Sequence, residues 1–230
     1  IVIASISNSN MVNQGKVILW PVDIRFYGYQ QIWEDSRIWT GYLNTLIYVV
    51  VGTVLNLVVT LPAAYALSRP DFKARNAVMM YFVFTMYFSG GLVPLYMTIK
   101  SIGFIGNRWI MILMVLVNTY NLIIARTFIQ NTIPNDLYEA AQIDGASSIQ
   151  QFRYITVPQV SPTTFFLAIM GIIGSFKVFD MISVLTAGGP GNSTSVMAYY
   201  IYKTAFTDFK MGYACALAWV LFLLIFAVTL

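Results

Sequence analysis

Long apolar runs alternate with short polar stretches along almost the whole chain. Residues 41–67, 77–99, 109–128, 163–185 and 209–230 are five such runs, each long enough for the ~20 residues a helix needs to cross a bilayer. The pattern predicts an all-α polytopic membrane protein. Residues 1–6 are apolar but too short to span, and read as the exit of a helix that begins before Ile1. Residues 7–40 are polar and mixed, carrying Lys16, Asp23, Arg25, Glu34, Asp35 and Arg37 with Pro21 and Gly28 as punctuation, and read as an extramembrane connection. Breakers interrupt the runs. Pro62 is expected to kink the end of the first, tolerable where neighbouring helices cover the freed carbonyl. Ser89-Gly90-Gly91 and Pro94 break the second, and the Gly188-Gly189-Pro190-Gly191 cluster predicts a surface or re-entrant loop before the fifth.

One polar segment differs from the other connections. Residues 130–162 lie between two apolar runs and carry Glu139, Asp144 and Arg153. Local signals predict two short helices joined by a hinge. Pro134 suits a first helical position, because it lacks the N–H that would go unpaired there. Asp136 and Glu139 lie near that helix's positive end. Leu137, Ala140, Ala141 and Ile143 give it a partly apolar face. Gly145 can adopt the left-handed conformation that ends a helix. Ser147, with Gln150 three residues on, reads as a capping box opening a second helix through Tyr154. Pro158 and Pro162 are expected to close the unit.

Glu139-Ala140-Ala141, Gly145 and Ile155-x-Val157-Pro158 resemble the EAA loop of the membrane subunits of bacterial ABC importers, with Val157 in place of the usual Leu as the one departure. The flanking IPNDLYEAAQIDGAS and FRYITVPQVSPT are similar to the carbohydrate-uptake branch. The likeness extends to GYLNTLIYVVVGTVLNLVVTLPAAYALSRPDFKARN and YFSGGLVPLYMTIKSIGFIGN, which resemble core helices of maltose- and oligosaccharide-type permeases. Residues 174–206 look instead like the other permease of such a pair. The resemblance implies a type I ABC importer core working by alternating access. It also implies a second permease subunit, two ATP-binding subunits, an extracellular solute-binding protein and a multi-pass location in the bacterial plasma membrane. In that family the EAA segment is the joint to the ATPase. This implies coupling roles for Glu139, Ala140, Ala141, Asp144, Gly145, Ile155 and Pro158.

Composition narrows the alternatives. Hydrophobic residues make up 58% and charged residues 10%, with a mean hydropathy of +0.71; soluble domains carry roughly a quarter charged residues. The net charge of +4 does not point to nucleic acid, because most of the basic residues lie singly at the ends of apolar runs and form no stripe. Histidine is absent and Cys215 is the single cysteine, which excludes His-based metal sites and triads and any disulfide within one chain. No phosphate-binding GxxxxGK[ST] loop occurs, so ATP hydrolysis is assigned to a separate chain; no cofactor or metal is expected. Arg69, Lys73 and Arg75 crowd one short loop, a density that suggests the cytoplasmic side, although five basic residues fall on that side of the chain and seven on the other. By parity this loop shares its side with the EAA loop, which the family resemblance implies is cytoplasmic. Residues 7–40 are then extracellular.

Lys177 and Asp180 stand inside an apolar run, where each alone costs ~3 kcal/mol or more. At i and i+3 they can pair, either lining a translocation path or clamping two helices. Asn118 and Asn121, with Asn44 and Asn56, offer amides to sugar hydroxyls or, more commonly, to other helices. The five tryptophans read mainly as an interfacial belt. Three readings remain at this point: an ATP-driven carbohydrate permease, or one for a non-sugar solute; an ion-driven secondary transporter, for which no internal repeat is found; and a structural scaffold.

Overall fold

The helix α4, Ser36–Ser68, is built inside out. Gly41, Asn44, Thr45, Gly52, Thr53, Asn56, Thr60 and Ala64 are buried, while Leu43, Leu46, Ile47, Val50, Val54 and Val58 are exposed. Small and polar residues at i, i+3 and i+4 let neighbouring backbones approach and bond, and the aliphatic face is left for lipid. A Cβ on Gly52 would lie 3.2 Å from Val115, and one on Gly171 would lie 3.4 Å from Thr53. Pro62 lies within α4, which continues through it to Ser68.

The computed structural model describes residues 1–176, 179–189, 191–192 and 194–229. Among these it is helical, with no strand beyond an isolated bridge between Ser7 and Ile24. Short α1 (Val2–Ser5), α2 (Ser9–Asn13) and α3 (Tyr27–Glu34) precede α4. The expected second run is two helices, α5 (Arg75–Tyr87) and α6 (Leu92–Ser101), bent by 114° at a break where Gly91 has φ +81°. The third is also split, into α7 (Trp109–Met114) and α8 (Thr119–Thr132). Neither Gly nor Pro marks that second break. Its freed carbonyls are instead met by Asn56, whose amide donates to Val115 O at 2.8 Å and Leu116 O at 3.0 Å. Buried backbone acceptors need such partners, and a side chain from another helix supplies them.

The polar segment forms α9 (Asn135–Ile143) and α10 (Ser148–Gln151), a π-helical stretch Phe152–Thr156, and α11 (Val157–Gln159). After these come α12 (Ser161–Phe176), α13 (Asp180–Leu185), α14 (Met197–Tyr202), a second π-helical stretch Lys203–Thr207, and α15 (Met211–Thr229). Among the described residues, α4 alone is a complete span by length and hydropathy. The bent pair α5–α6, and Ser148–Gln159 with Ser161–Ser175 (bent by 74°), qualify only when each pair is taken together.

The chain divides into two units, each with its own core. One comprises residues 1–50, 99–111 and 172–230; the other comprises 51–98 and 112–171. In the first, α15 packs against α1, α2, α3 and α14, and Ile32, Ile38, Met197, Tyr213, Ala216 and Leu217 form the core. In the second, α5 packs on α8, and Ala64, Leu67, Met79, Leu122, Ala125, Ile129, Tyr138 and Leu167 are central. Tyr138 ties the polar segment to this second core.

Candidate functional site

The polar segment owes its shape to local bonds. Ala146 N donates to Ala141 O at 2.8 Å and Gly145 N to Gln142 O at 3.0 Å, the paired bonds of a Schellman motif. They require the left-handed residue the sequence supplies: Gly145 has φ +83°. No atom lies within 4 Å of where its Cβ would be. Ser147 and Gln150 make the expected capping box, with Ser147 N donating to Gln150 Oε1 at 2.7 Å.

Two local expectations need correction. Pro134 is the N-cap residue in extended conformation (ψ 139°), so Asn135 rather than Pro134 takes the first helical position. The second helix does not end at Tyr154, nor does Pro158 close it. Phe152–Thr156 widens into a π turn and the chain stays helical to Gln159. A proline cannot donate to the carbonyl one turn back, and a π turn just before it absorbs that missing bond.

Long-range contacts seat this segment on its base. The Tyr138 hydroxyl and Thr156 Oγ1 share a hydrogen bond of 2.8 Å, and the Tyr138 ring lies 6.0 Å from Tyr65. Tyr65 also packs on Phe152 at 5.3 Å. The Arg69 guanidinium stands 4.2 Å above the Tyr138 ring centre, a cation–π geometry in a largely covered position. Gln151, buried, donates to Ala146 O at 3.0 Å, bracing the hinge from below. From α8, Arg126 Nε donates to Leu67 O at 3.0 Å and Gln130 to Ser68 O at 3.5 Å, capping the last carbonyls of α4.

With Tyr138 turned inward, the rest of α9 faces outward. Leu137 is 40% exposed and Ile143 87% exposed, and Glu139, Ala140, Asp144 and Gly145 are also exposed. Ile149 continues the apolar surface past the hinge at 78% exposure. Ala141 is half-covered by the chain's own residues, Ile155 packs against the core, and Pro158 is exposed. Glu139 forms no hydrogen bond or ion pair among the described residues. Thus of the sequence-derived set, Glu139, Ala140, Asp144 and Gly145 share one open surface, whereas Ala141 and Ile155 help hold it. Tyr65, Arg69, Tyr138, Gln151 and Thr156 belong to the site without any motif to announce them. Each is an ordinary residue type whose role arises from partners distant in sequence.

The polar residues of the apolar runs have assignable bonds. Asn118 is exposed and caps α8, its Oδ1 accepting from Asn121 N at 3.1 Å, and Asn121 is buried. Asn44 donates to Asn192 O at 3.2 Å and Ser195 O at 3.4 Å, holding the glycine-rich loop, part of which is buried. Lys177 lies outside the described residues, so its pairing with Asp180 does too; Asp180 is exposed in the first turn of α13.

A helical chain with an aliphatic face turned outward on its longest helix, broken apolar helices and a braced polar segment is a membrane-embedded helical protein of the transporter class. Over residues 38–230 it matches the family described as binding-protein-dependent transport system inner membrane component, and it belongs to that family. These are transport components rather than enzymes. It is 35% identical over 162 residues to the polygalacturonan/rhamnogalacturonan transport system permease protein YtcP of Bacillus subtilis, covering 70% of this chain and 56% of YtcP. To the probable starch degradation products transport system permease protein AmyD of Thermoanaerobacterium thermosulfurigenes it is 31% identical, covering 96% of this chain and 80% of that one. Among solved structures, a chain of a bacterial ABC transporter involved in the import of the acidic polysaccharide alginate superposes with a TM-score of 0.83 at 26% identity, over 99% of this chain and 86% of that chain. The all-α type I importer permease architecture expected from the sequence is therefore the fold observed.

Proposed function

We propose that this chain is a permease subunit of an ATP-driven, binding-protein-dependent importer of carbohydrate, most simply an oligosaccharide, and that it crosses the bacterial plasma membrane several times. It works beside a second permease, two ATP-binding subunits on the cytoplasmic face and a solute-binding protein outside. Relatives named for polygalacturonan and starch degradation products support the sugar class. The observation that carries the mechanism is the surface of α9. Leu137, Ala140 and Ile143 form an uncovered apolar stripe beside Glu139, which has no partner among the described residues, on a helix whose other face is anchored through Tyr138. An amphipathic helix of this kind docks in a groove of a partner. Being rigidly seated, it transmits the partner's movement to α4 and α8 instead of absorbing it.

A cysteine placed at Ala140 tests this in membranes carrying the whole transporter, with Cys215 replaced by serine. Crosslinks to the ATP-binding subunit are expected, and uptake should cease when the phosphate-loop lysine of that subunit is mutated. Crosslinks arising from residues 7–40 instead would invert the topology and overturn the reading.

A further inference from the structure

Where α4 ends, a cavity of about 180 Å³ opens among Ser68, Arg69, Arg75, Gln130, Asn135 and Tyr138. Several of its polar groups are already engaged: Ser68 Oγ on Tyr65 O, Gln130 on Ser68 O and Tyr138 on Thr156. Its cations are not fully engaged. Arg69 is 12% exposed and meets Asp71 at 3.2 Å through Nη2, but Asp71 itself is 72% exposed. The Arg69 Nη1 is buried with no hydrogen-bond partner. Neither the Arg75 guanidinium nor the Asn135 amide is bonded to another group among the described residues. The loop from Ser68 to Asn76 holds Arg69, Lys73 and Arg75 against Asp71 alone. A buried guanidinium nitrogen left unbonded costs free energy, and an anion with several acceptor oxygens would relieve it.

The cavity also lies at a definite level along its helices. Arg75 is the first residue of α5, and within three turns that helix presents Met80, Tyr81 and Phe84, exposed by 72%, 67% and 55%. Apolar side chains open to lipid that begin just past a pair of arginines mark the headgroup zone.

We infer that this cavity binds a phosphate group, and specifically the phosphate of an anionic lipid headgroup, held by Arg69 and Arg75. The inference rests on the membrane-embedded reading of α4 and α5 but not on the docking of α9 or on the sugar. Bound there, the lipid would join the end of α4 to the base of α9 through Arg69 and stiffen the path by which movement of α9 reaches the membrane.

The test uses the complete transporter in nanodiscs of phosphatidylcholine with or without phosphatidylglycerol, with retained lipid read by native mass spectrometry. Retention of phosphatidylglycerol over phosphatidylcholine is expected. Arg75→Gln should raise the phosphatidylglycerol level needed for half-occupancy about tenfold, the loss of one charge-assisted contact. Arg75 packs on no ring of the α9 base, so its variant keeps the wild-type thermal unfolding profile as a folding control. Arg69→Gln provides a second variant, scored only if that profile persists. Displacement of the lipid by inorganic phosphate would show that the phosphate group alone is recognised, from either source. Equal retention by wild type and Arg75→Gln overturns the proposal. So does loss of ATPase association in Arg75→Gln with lipid retention unchanged, which would give the cavity to an acidic side chain of the ATPase.

Discussion

The two ends of α4 treat charge in opposite ways. At its start, Asp35 is saturated: it accepts from Arg37 Nε at 2.9 Å and Nη2 at 2.8 Å, from the Arg37 backbone N–H at 3.0 Å and from the Tyr200 hydroxyl at 2.8 Å. At its end, Arg69 meets the exposed carboxylate of Asp71 and rests on the Tyr138 ring, and the Arg75 guanidinium has no bonded partner among the described residues. A carboxylate with its acceptor sites filled has nothing left to offer a partner, so the first corner is a structural clamp. Both arginines still have donors to spare, and they sit beside α9, whose apolar stripe is uncovered. Capacity for partners is therefore concentrated where internal pairing is incomplete.

Changes at each corner separate these roles. The largest effect on the fold is expected from Tyr138→Ala, which removes the ring beneath Arg69, the contact with Tyr65 and the bond to Thr156. Truncations of buried aromatics cost ~3–5 kcal/mol, and thermal unfolding of the purified transporter should show it. Tyr138→Phe keeps the ring and should lose only ~1 kcal/mol. If the two variants are equally mild, the α9 base is not a rigid seat.

Asp35→Asn comes next. It leaves Arg37 without its charged partner and should cost ~1–3 kcal/mol at neutral pH. The hydrogen bonds from Arg37, with a smaller share from Tyr200, hold the Asp35 carboxyl down to about 2 from its ordinary 3.8, against the opposing effect of burial. Because the folded-state value is the lower one, the stabilisation is complete above 3.8 and is lost as pH falls through about 2. The stability gap between wild type and Asp35→Asn should therefore narrow over that window. A gap that stays constant would mean the carboxylate's charge is not what the clamp uses.

Gly145→Val has a comparable or smaller cost, ~1–2 kcal/mol, from forcing a branched residue to positive φ. Since nothing lies near the missing Cβ, the penalty is purely conformational, and Gly145→Asn should recover most of it. Uptake and hydrolysis measured together would show whether the hinge matters for coupling beyond stability. Smallest for the fold is Glu139→Ala, expected to lie within ~0.5 kcal/mol of wild type because the side chain is exposed and makes no bond among the described residues. Its effect should appear only as hydrolysis uncoupled from transport. A marked loss of thermal stability would instead assign Glu139 to the chain's own structure.

Much of the polar segment is legible in its own residues. The Gly145 turn, the Ser147–Gln150 box and the helix between Pro134 and Asp144 depend on bonds spanning a few residues, and short-range bonds leave short-range patterns. Asn118 as a helix cap belongs to the same class, although an amide in an apolar run suggests sugar contact just as readily. The π turn preceding Pro158 is less accessible, since a proline signals a missing bond but not how the backbone will absorb it.

Sequence by itself determined that this chain belongs in a membrane, that it is helical, and where the glycine-bearing hinges fall, because hydropathy and local backbone preference are properties of contiguous residues. Tertiary structure alone decided that α7 and α8 separate at residues 115–118, where Asn56, far back in the chain, supplies the donors that make an unwound turn tolerable. It also decided that Arg69 lies over Tyr138 and that Tyr138, not Leu137, is the inward residue of α9. Such choices are made by pairs of groups distant in sequence competing for the same buried space. No stretch of the chain encodes their outcome until folding brings the two together.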